Sequence, residues 1–184
     1  DVLTKLPLNL PGIAIVQHIP AKFSRAFAER LNSQCQFQVR EAADGDELHS
    51  GLALVVPGGR HMTLHWDGSR HRVRLNEGPR VHHQRPAVDV LFDSAVEAAG
   101  AHANAVLLTG MGRDGAAGMK RLRDCGATTL AQDEKSCVVF GMPQAAMQIG
   151  AAQQMVPLEE IPKVILQTVE FGRRKHNEFA TMPG

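Results

Sequence analysis

Three short runs, Ile13-Ala14-Ile15-Val16, Leu52-Ala53-Leu54-Val55-Val56 and Ala105-Val106-Leu107-Leu108, are apolar at every position. A half-buried strand alternates apolar and polar residues, so runs of this kind read as strands buried on both faces. Stretches with helical spacing lie between them. Phe23, Ala26, Phe27 and Leu31 share one face of a helix over 22–32. Val88, Leu91, Phe92, Ala95 and Val96 do the same over 86–99, with Pro86 near the first turn. Further strands are expected at 36–40 and 128–131, and further helices over 114–125, 141–149 and 161–171. Strands alternating with helices in this way require a mostly parallel sheet with helices on both faces.

The middle of the chain breaks the pattern. Met62, Leu64 and Trp66 alternate with Thr63 and His65; after Asp67-Gly68, Val73 and Leu75 alternate with Arg72 and Arg74. This predicts an antiparallel hairpin over 62–75 with one wet face, laid on the main sheet. The histidines His61, His65 and His71 read as part of an exposed hairpin face; no cysteine or supporting pattern favours a metal site there. A chain of 184 residues, 43% of them hydrophobic, fits one domain. We place it at 1–172, with 173–184 as a basic, flexible tail. A net charge of +1 and 4% aromatic residues give no footprint for nucleic acid. Cys35, Cys125 and Cys137 are odd in number and far apart, which points to a reducing compartment. No apolar run reaches the ~18 residues of a membrane helix, and no charged-then-apolar leader is present, so no membrane insertion is expected.

The segment Thr109-Gly110-Met111-Gly112-Arg113-Asp114-Gly115 follows the third strand and opens a helix. Its glycines satisfy G-x-G-x-x-G, the dinucleotide fingerprint, and Asp133 lies where a ribose-binding acid would be expected. Charge opposes that reading. A helix N-terminus attracts one anion, and Asp114 already supplies it. The same field would keep Asp114 ionised, able either to cap its helix or to orient a histidine. His18 is the partner that topology offers. It lies just past the first strand, Asp114 just past the third, and both emerge at the carboxyl edge of a parallel sheet, where ligands bind.

Several longer segments are collinear with one known family: IVQHIPAKFSRAFAERLN from Ile15, DGDEL from Asp44, VVPGGRHM from Val55, RPAVDVLFDS from Arg85, LLTGMGRDGAAGM from Leu107 and AQDEKSCVVFGMP from Ala131. The chain resembles the catalytic domain of the chemotaxis protein-glutamate methylesterases, the CheB family. The resemblance implies a doubly wound α/β domain and a cytoplasmic hydrolase without a cofactor or metal, working through a Ser-His-Asp triad. His18 falls on the family's histidine and Asp114 on its aspartate, while Met111 falls on the oxyanion or substrate side. It further implies hydrolysis of glutamate methyl esters, and deamidation of glutamines, on methyl-accepting chemotaxis receptors. A receiver domain before this one and a chemotaxis histidine kinase are the other implied partners.

The family's serine sits in a G-A-S-[TA]-G-G turn, and no such turn occurs between Asp1 and Gly184. Ser24, Ser33, Ser50, Ser69, Ser94 and Ser136 all lie outside any nucleophile elbow. The expectation is a catalytic domain whose first strand and nucleophile turn precede Asp1, inactive as an ester hydrolase without them and with an unpaired sheet neighbour. The competing readings are a non-catalytic receptor-binding module and, further off, a dinucleotide-binding domain. Gln84-Arg85-Pro86-Ala87 departs from the family's His-Arg-Pro-Ser; Arg85 is kept, for either a receptor carboxylate or a structural ion pair.

Overall fold

The computed structural model describes the backbone of residues 1–180 and the side chains of residues 1–170. A 3-10 turn, Leu3–Lys5, precedes the first strand. Strands β1 (Ile13–Ile15), β2 (Gln38–Glu41) and β3 (Leu52–Val55) form a parallel sheet in the order β1-β3-β2. Helix α1 (Ala21–Asn32) connects β1 to β2. A second parallel sheet has the order β6-β7-β8, from β6 (Asn104–Leu107), β7 (Thr128–Gln132) and β8 (Gln154–Val156). Its connections are α3 (Ala116–Asp124) and α4 (Met142–Gln148). Between the two sheets in sequence come the antiparallel pair β4 (His61–Trp66) and β5 (His71–Asn76), then α2 (Val88–Ala98).

β3 explains why an apolar run means burial on both faces. Leu52, Leu54 and Val56 enter one core cluster, with Met62, Leu91 and Met119. Ala53 and Val55 point the other way, into a cluster with Phe37, Val39 and Val169. Helices therefore cover both faces, as the strand composition requires. The final helix, α5 (Ile161–Ala180), extends beyond the expected 161–171 and takes in most of the segment read as a basic tail; residues 181–184 lie outside the described residues.

Three expectations need correction. The hairpin is not laid on the main sheet but is a separate two-stranded sheet. Met62, Leu64 and Val73 bury its apolar face in the core beside α2, and its outer edge bonds to the irregular segment 45–48. His61 is not on an exposed face: it is 2% exposed, its Nδ1 accepting from the Ala87 amide and its Nε2 facing the Pro79 carbonyl. His65 and His71 turn to Thr63 and the Ala98 carbonyl, so the three rings do not converge. β8, short and with Gln154 exposed, carries no apolar alternation and was not expected at all.

The mostly parallel sheet is divided. β1 bonds only to β3 and β6 only to β7 among the described residues, so each keeps one unpaired edge. Both strands lie against α5: Ile13, Ile15 and Ile165 belong to one cluster, Val106 and Ile165 to the next.

The turn after β3 braces the segment that leaves β1. A Cβ on Gly58 would stand 2.4 Å from the Ala21 nitrogen and 2.6 Å from the Ile19 oxygen. The Gly58 amide donates to buried Ser24 Oγ at 3.0 Å, and Ser24 in turn faces Glu41. Gly58→Ala should lower stability by about 2 kcal/mol or more, because backbone has to move. Gly59→Ala, at φ 82° with open space around the new methyl, should cost about 1 kcal/mol. Urea denaturation compares the two; equal losses would show that the loop bearing His18 is not held by this contact.

Candidate active site

His18 and Asp114 meet. His18 Nε2 lies 2.7 Å from Asp114 Oδ2, with side chains 19% and 2% exposed. Ninety-six positions separate them; the fold joins them because each follows the carboxyl end of a parallel strand.

Asp114 does not cap its own helix. α3 begins at Ala116, with Gly115 as its cap residue in the left-handed region at φ 88°. The carboxylate instead reaches the start of α2. Oδ2 accepts from the Val88 amide at 2.7 Å and Oδ1 from the Asp89 amide at 3.0 Å. These are the first two N–H groups of α2, which the helix itself leaves without partners. The cap residue of α2, Ala87, has no side chain to offer them, so Asp114 does that work from across the fold. The helix end whose amides hold Asp114 is that of α2, not of α3.

Gly115 makes the reach possible. It adopts a positive φ, and a Cβ there would lie 2.7 Å from Val88 Cγ1 and 2.9 Å from Leu107 Cδ1. The loop start is pinned on its other side. The Thr109 amide donates to buried Gln132 Oε1 at 2.8 Å, and the Gly110 amide to the Val139 carbonyl at 3.1 Å.

Burial works to raise the Asp114 pKa, but the His18 ring and the Asp89 and Val88 amides outweigh it and hold the carboxyl below its ordinary value. An ionised carboxylate only accepts hydrogen bonds, so His18 Nε2 must carry the proton. A neutral His18 then has its lone pair on Nδ1, which makes Nδ1 the basic atom of the pair. In the commoner triad the acid holds Nδ1 and frees Nε2.

A second pair stands behind the first, and the sequence reading missed it. His82 Nε2 lies 2.9 Å from Asp89 Oδ2, and Asp89 Oδ1 accepts from the Gly118 amide at 2.7 Å. Asp89 thus locks α2 to α3 while its own amide supports Asp114. Its position inside the quoted RPAVDVLFDS segment was the only available signal. Ligand atoms of His82, Asp89 and Asp114 fall within 4.8 Å of one another, but each is already engaged by the hydrogen bonds just described. Met111 is 84% exposed on the same loop, three residues before Asp114. Asp133, the ribose-acid position of the nucleotide pattern, is bonded to the Ser136 amide at 3.1 Å.

The family described as CheB methylesterase matches residues 1–165. A protein-glutamate methylesterase/protein-glutamine glutaminase of Syntrophus aciditrophicus is 54% identical over 169 residues, 92% of this chain and 49% of that protein. One of Dechloromonas aromatica is 53% identical over 165 residues, 90% of this chain and 46% of that protein. The chain therefore spans about half the length of the curated relatives it matches. The crystal structure of the Thermotoga maritima CheB methylesterase catalytic domain superposes with a TM-score of 0.89 at 36% identity, covering 91% of this chain and 89% of that one.

The lowered Asp114 pKa has a signed consequence. Its stabilising contribution is complete above the unfolded-state value, about 3.9, and is lost as pH falls through the still lower folded-state value. On acidification from about pH 5 to about pH 3, the wild-type urea midpoint should fall more steeply than that of Asp114→Asn, whose side chain does not titrate. At neutral pH Asp114→Asn should be less stable by about 1–3 kcal/mol, since an amide cannot accept all three bonds. Parallel acid profiles would show that Asp114 is not an ionised cap.

Proposed function

The chain belongs to the CheB methylesterase family, and we propose that it is the catalytic part of a protein-glutamate methylesterase and glutaminase acting on methyl-accepting chemotaxis receptors. The observation that carries this reading is the 2.7 Å contact between His18 and an ionised, buried Asp114 at the carboxyl ends of two parallel half-sheets. The nucleophile is a serine on a strand seated between β1 and β6. The free edges support that seat. Both strands run toward the dyad, side chains of both pack into clusters that include Ile165 of α5, and one parallel strand would pair with each.

Chemistry follows from the proton positions. Asp114 holds the Nε2 proton of His18, so Nδ1 removes the serine proton as its oxygen attacks the glutamyl γ-carbonyl. The tetrahedral oxyanion collapses, the ester C–O bond breaks, and His18 returns the proton to the leaving methoxide, releasing methanol. Water repeats the sequence on the acyl-enzyme, giving a glutamate carboxylate and free serine. With a glutamine substrate the leaving group is ammonia. Asp114 stabilises the imidazolium in each half-reaction. Ser24, buried against Glu41 and Gly58, and Ser136, bonded to Asp133 and the Leu158 amide, have structural roles.

Three exposed apolar side chains fit a protein substrate. Met111, Val138 and Val139 are 84%, 90% and 45% exposed, on two loops joined by a bridge between Gly110 and Phe140. A rim of that kind next to a reaction centre suits the apolar face of a receptor helix, which supports a substrate-side role for Met111. A receiver domain and a chemotaxis histidine kinase complete the proposed system.

The test is methanol release from methylated receptor by the intact protein. His18→Ala should lower kcat by roughly three orders of magnitude or more while leaving KM within a few-fold. Near-wild-type turnover in His18→Ala would remove His18 from the mechanism. Absence of turnover in the wild-type intact protein would favour the non-catalytic receptor-binding module.

A further inference from the structure

A cavity of about 390 Å³ opens beside His18, lined also by Ile19, Gly59, Arg80, Gln84 and Arg85. It has two guanidinium groups in its wall and no carboxylate. Most described arginines with a nearby acid have found it: Arg40 with Asp46, Arg70 with Glu47, Arg72 with Asp67, Arg121 with Asp93. Arg80 and Arg85 form no ion pair among the described residues. Arg80 is exposed and reaches only the His83 carbonyl, at 3.4 Å. Arg85 donates through one nitrogen to the Glu77 and Gly78 carbonyls, at 2.8 and 3.0 Å. Its Nε is buried with no partner at all. Glu77, the acid nearest Arg80 in sequence, is 3.3 Å from Arg60, and Asp89, the acid nearest Arg85, is engaged by His82 and the Gly118 amide. The alternative of a structural ion pair for Arg85 is therefore not what the fold contains.

The segment holding these groups is built firmly. The amides and carbonyls of Val81 and Gln84 exchange hydrogen bonds at 3.0 and 2.8 Å around His82 and His83, which have φ of 49° and 64°. His82 is tied to Asp89, and buried His61 bridges Pro79 to Ala87. A buried guanidinium N–H without an acceptor costs free energy unless a ligand supplies one. One anchored guanidinium beside a second, exposed one, both without counter-charge, is an arrangement suited to recognising carboxylates.

We propose that Arg80 and Arg85 form an anion subsite beside the dyad, which binds a carboxylate on the acidic protein segment that carries the ester. The inference rests on the hydrolase reading for the identity of that segment. Specificity then comes from a neighbouring free carboxylate rather than from the ester itself, and a segment whose neighbouring acids are esterified or amidated binds less well.

The probes are two helical peptides with one central glutamate γ-methyl ester, flanked at three and four residues by glutamates in one and glutamines in the other. The intact wild-type protein should bind the glutamate-flanked peptide about tenfold more tightly, the order of one hydrogen bond to a charged group, and the preference should shrink with added salt. Arg80→Gln and Arg85→Gln should each reduce the preference while leaving affinity for the glutamine-flanked peptide within about twofold. Arg80→Gln keeps the comparison valid if Arg85→Gln, which loses two backbone contacts, does not fold. Equal binding of both peptides by the wild type, or an undiminished preference in Arg80→Gln, overturns the subsite. Hydrolysis without preference rejects the subsite and keeps the esterase; charge-dependent binding without hydrolysis keeps the subsite and rejects the esterase.

Discussion

One carboxylate organises this fold. Asp114 accepts three hydrogen bonds, from His18 at the end of β1 and from the first two amides of α2. Remove its charge and a helix loses its cap, a histidine loses its orientation, and the loop between β6 and α3 loses its anchor. An anion 2% exposed is costly unless fully bonded. Here the bonding partners are groups that themselves need an acceptor, so the demands offset one another. The Asp89 pair with His82 extends the same logic by one layer and ties α2 to α3.

The second constraint is a sheet in two halves. β1 is partly buried along its whole length and β6 buries Ala105 and Leu107, and each leaves one row of backbone groups unpaired. Unpaired strand edges are liabilities that folded proteins cover or fill. The His18–Asp114 contact brings the carboxyl ends of these two strands together, so the candidate dyad and the free edges belong to one feature. A nucleophile delivered on a strand at that place would arrive with its position already set.

Much of this was readable from residue order. The fully apolar runs mark β1, β3 and β6, and helical spacing marks α1 and α2. Parallel-sheet topology alone brings His18 and Asp114 to one edge. What the sequence concealed was long-range hydrogen bonding. Nothing in Ala87-Val88-Asp89 says that its amides are capped by a residue 25 or 26 positions away. His61 looked like part of a wet hairpin face because its strand alternates. It is buried because the 79–87 segment folds over it and uses both ring nitrogens. β8 escaped because a three-residue edge strand has too little pattern to detect. The G-x-G-x-x-G match misled in an instructive way. Gly115 is there to press against Val88 and Leu107, not to approach a pyrophosphate.

The claim that His18 and Asp114 serve a serine seated between β1 and β6 is tested most directly by covalent labelling. A fluorophosphonate reacts with a serine only when a base activates it. In the intact protein, peptide mapping should find one labelled serine on a strand outside residues 1–184, with labelling lost in His18→Ala. Label on Ser24, Ser136 or any other serine of this chain, or labelling that survives His18→Ala, would contradict the account.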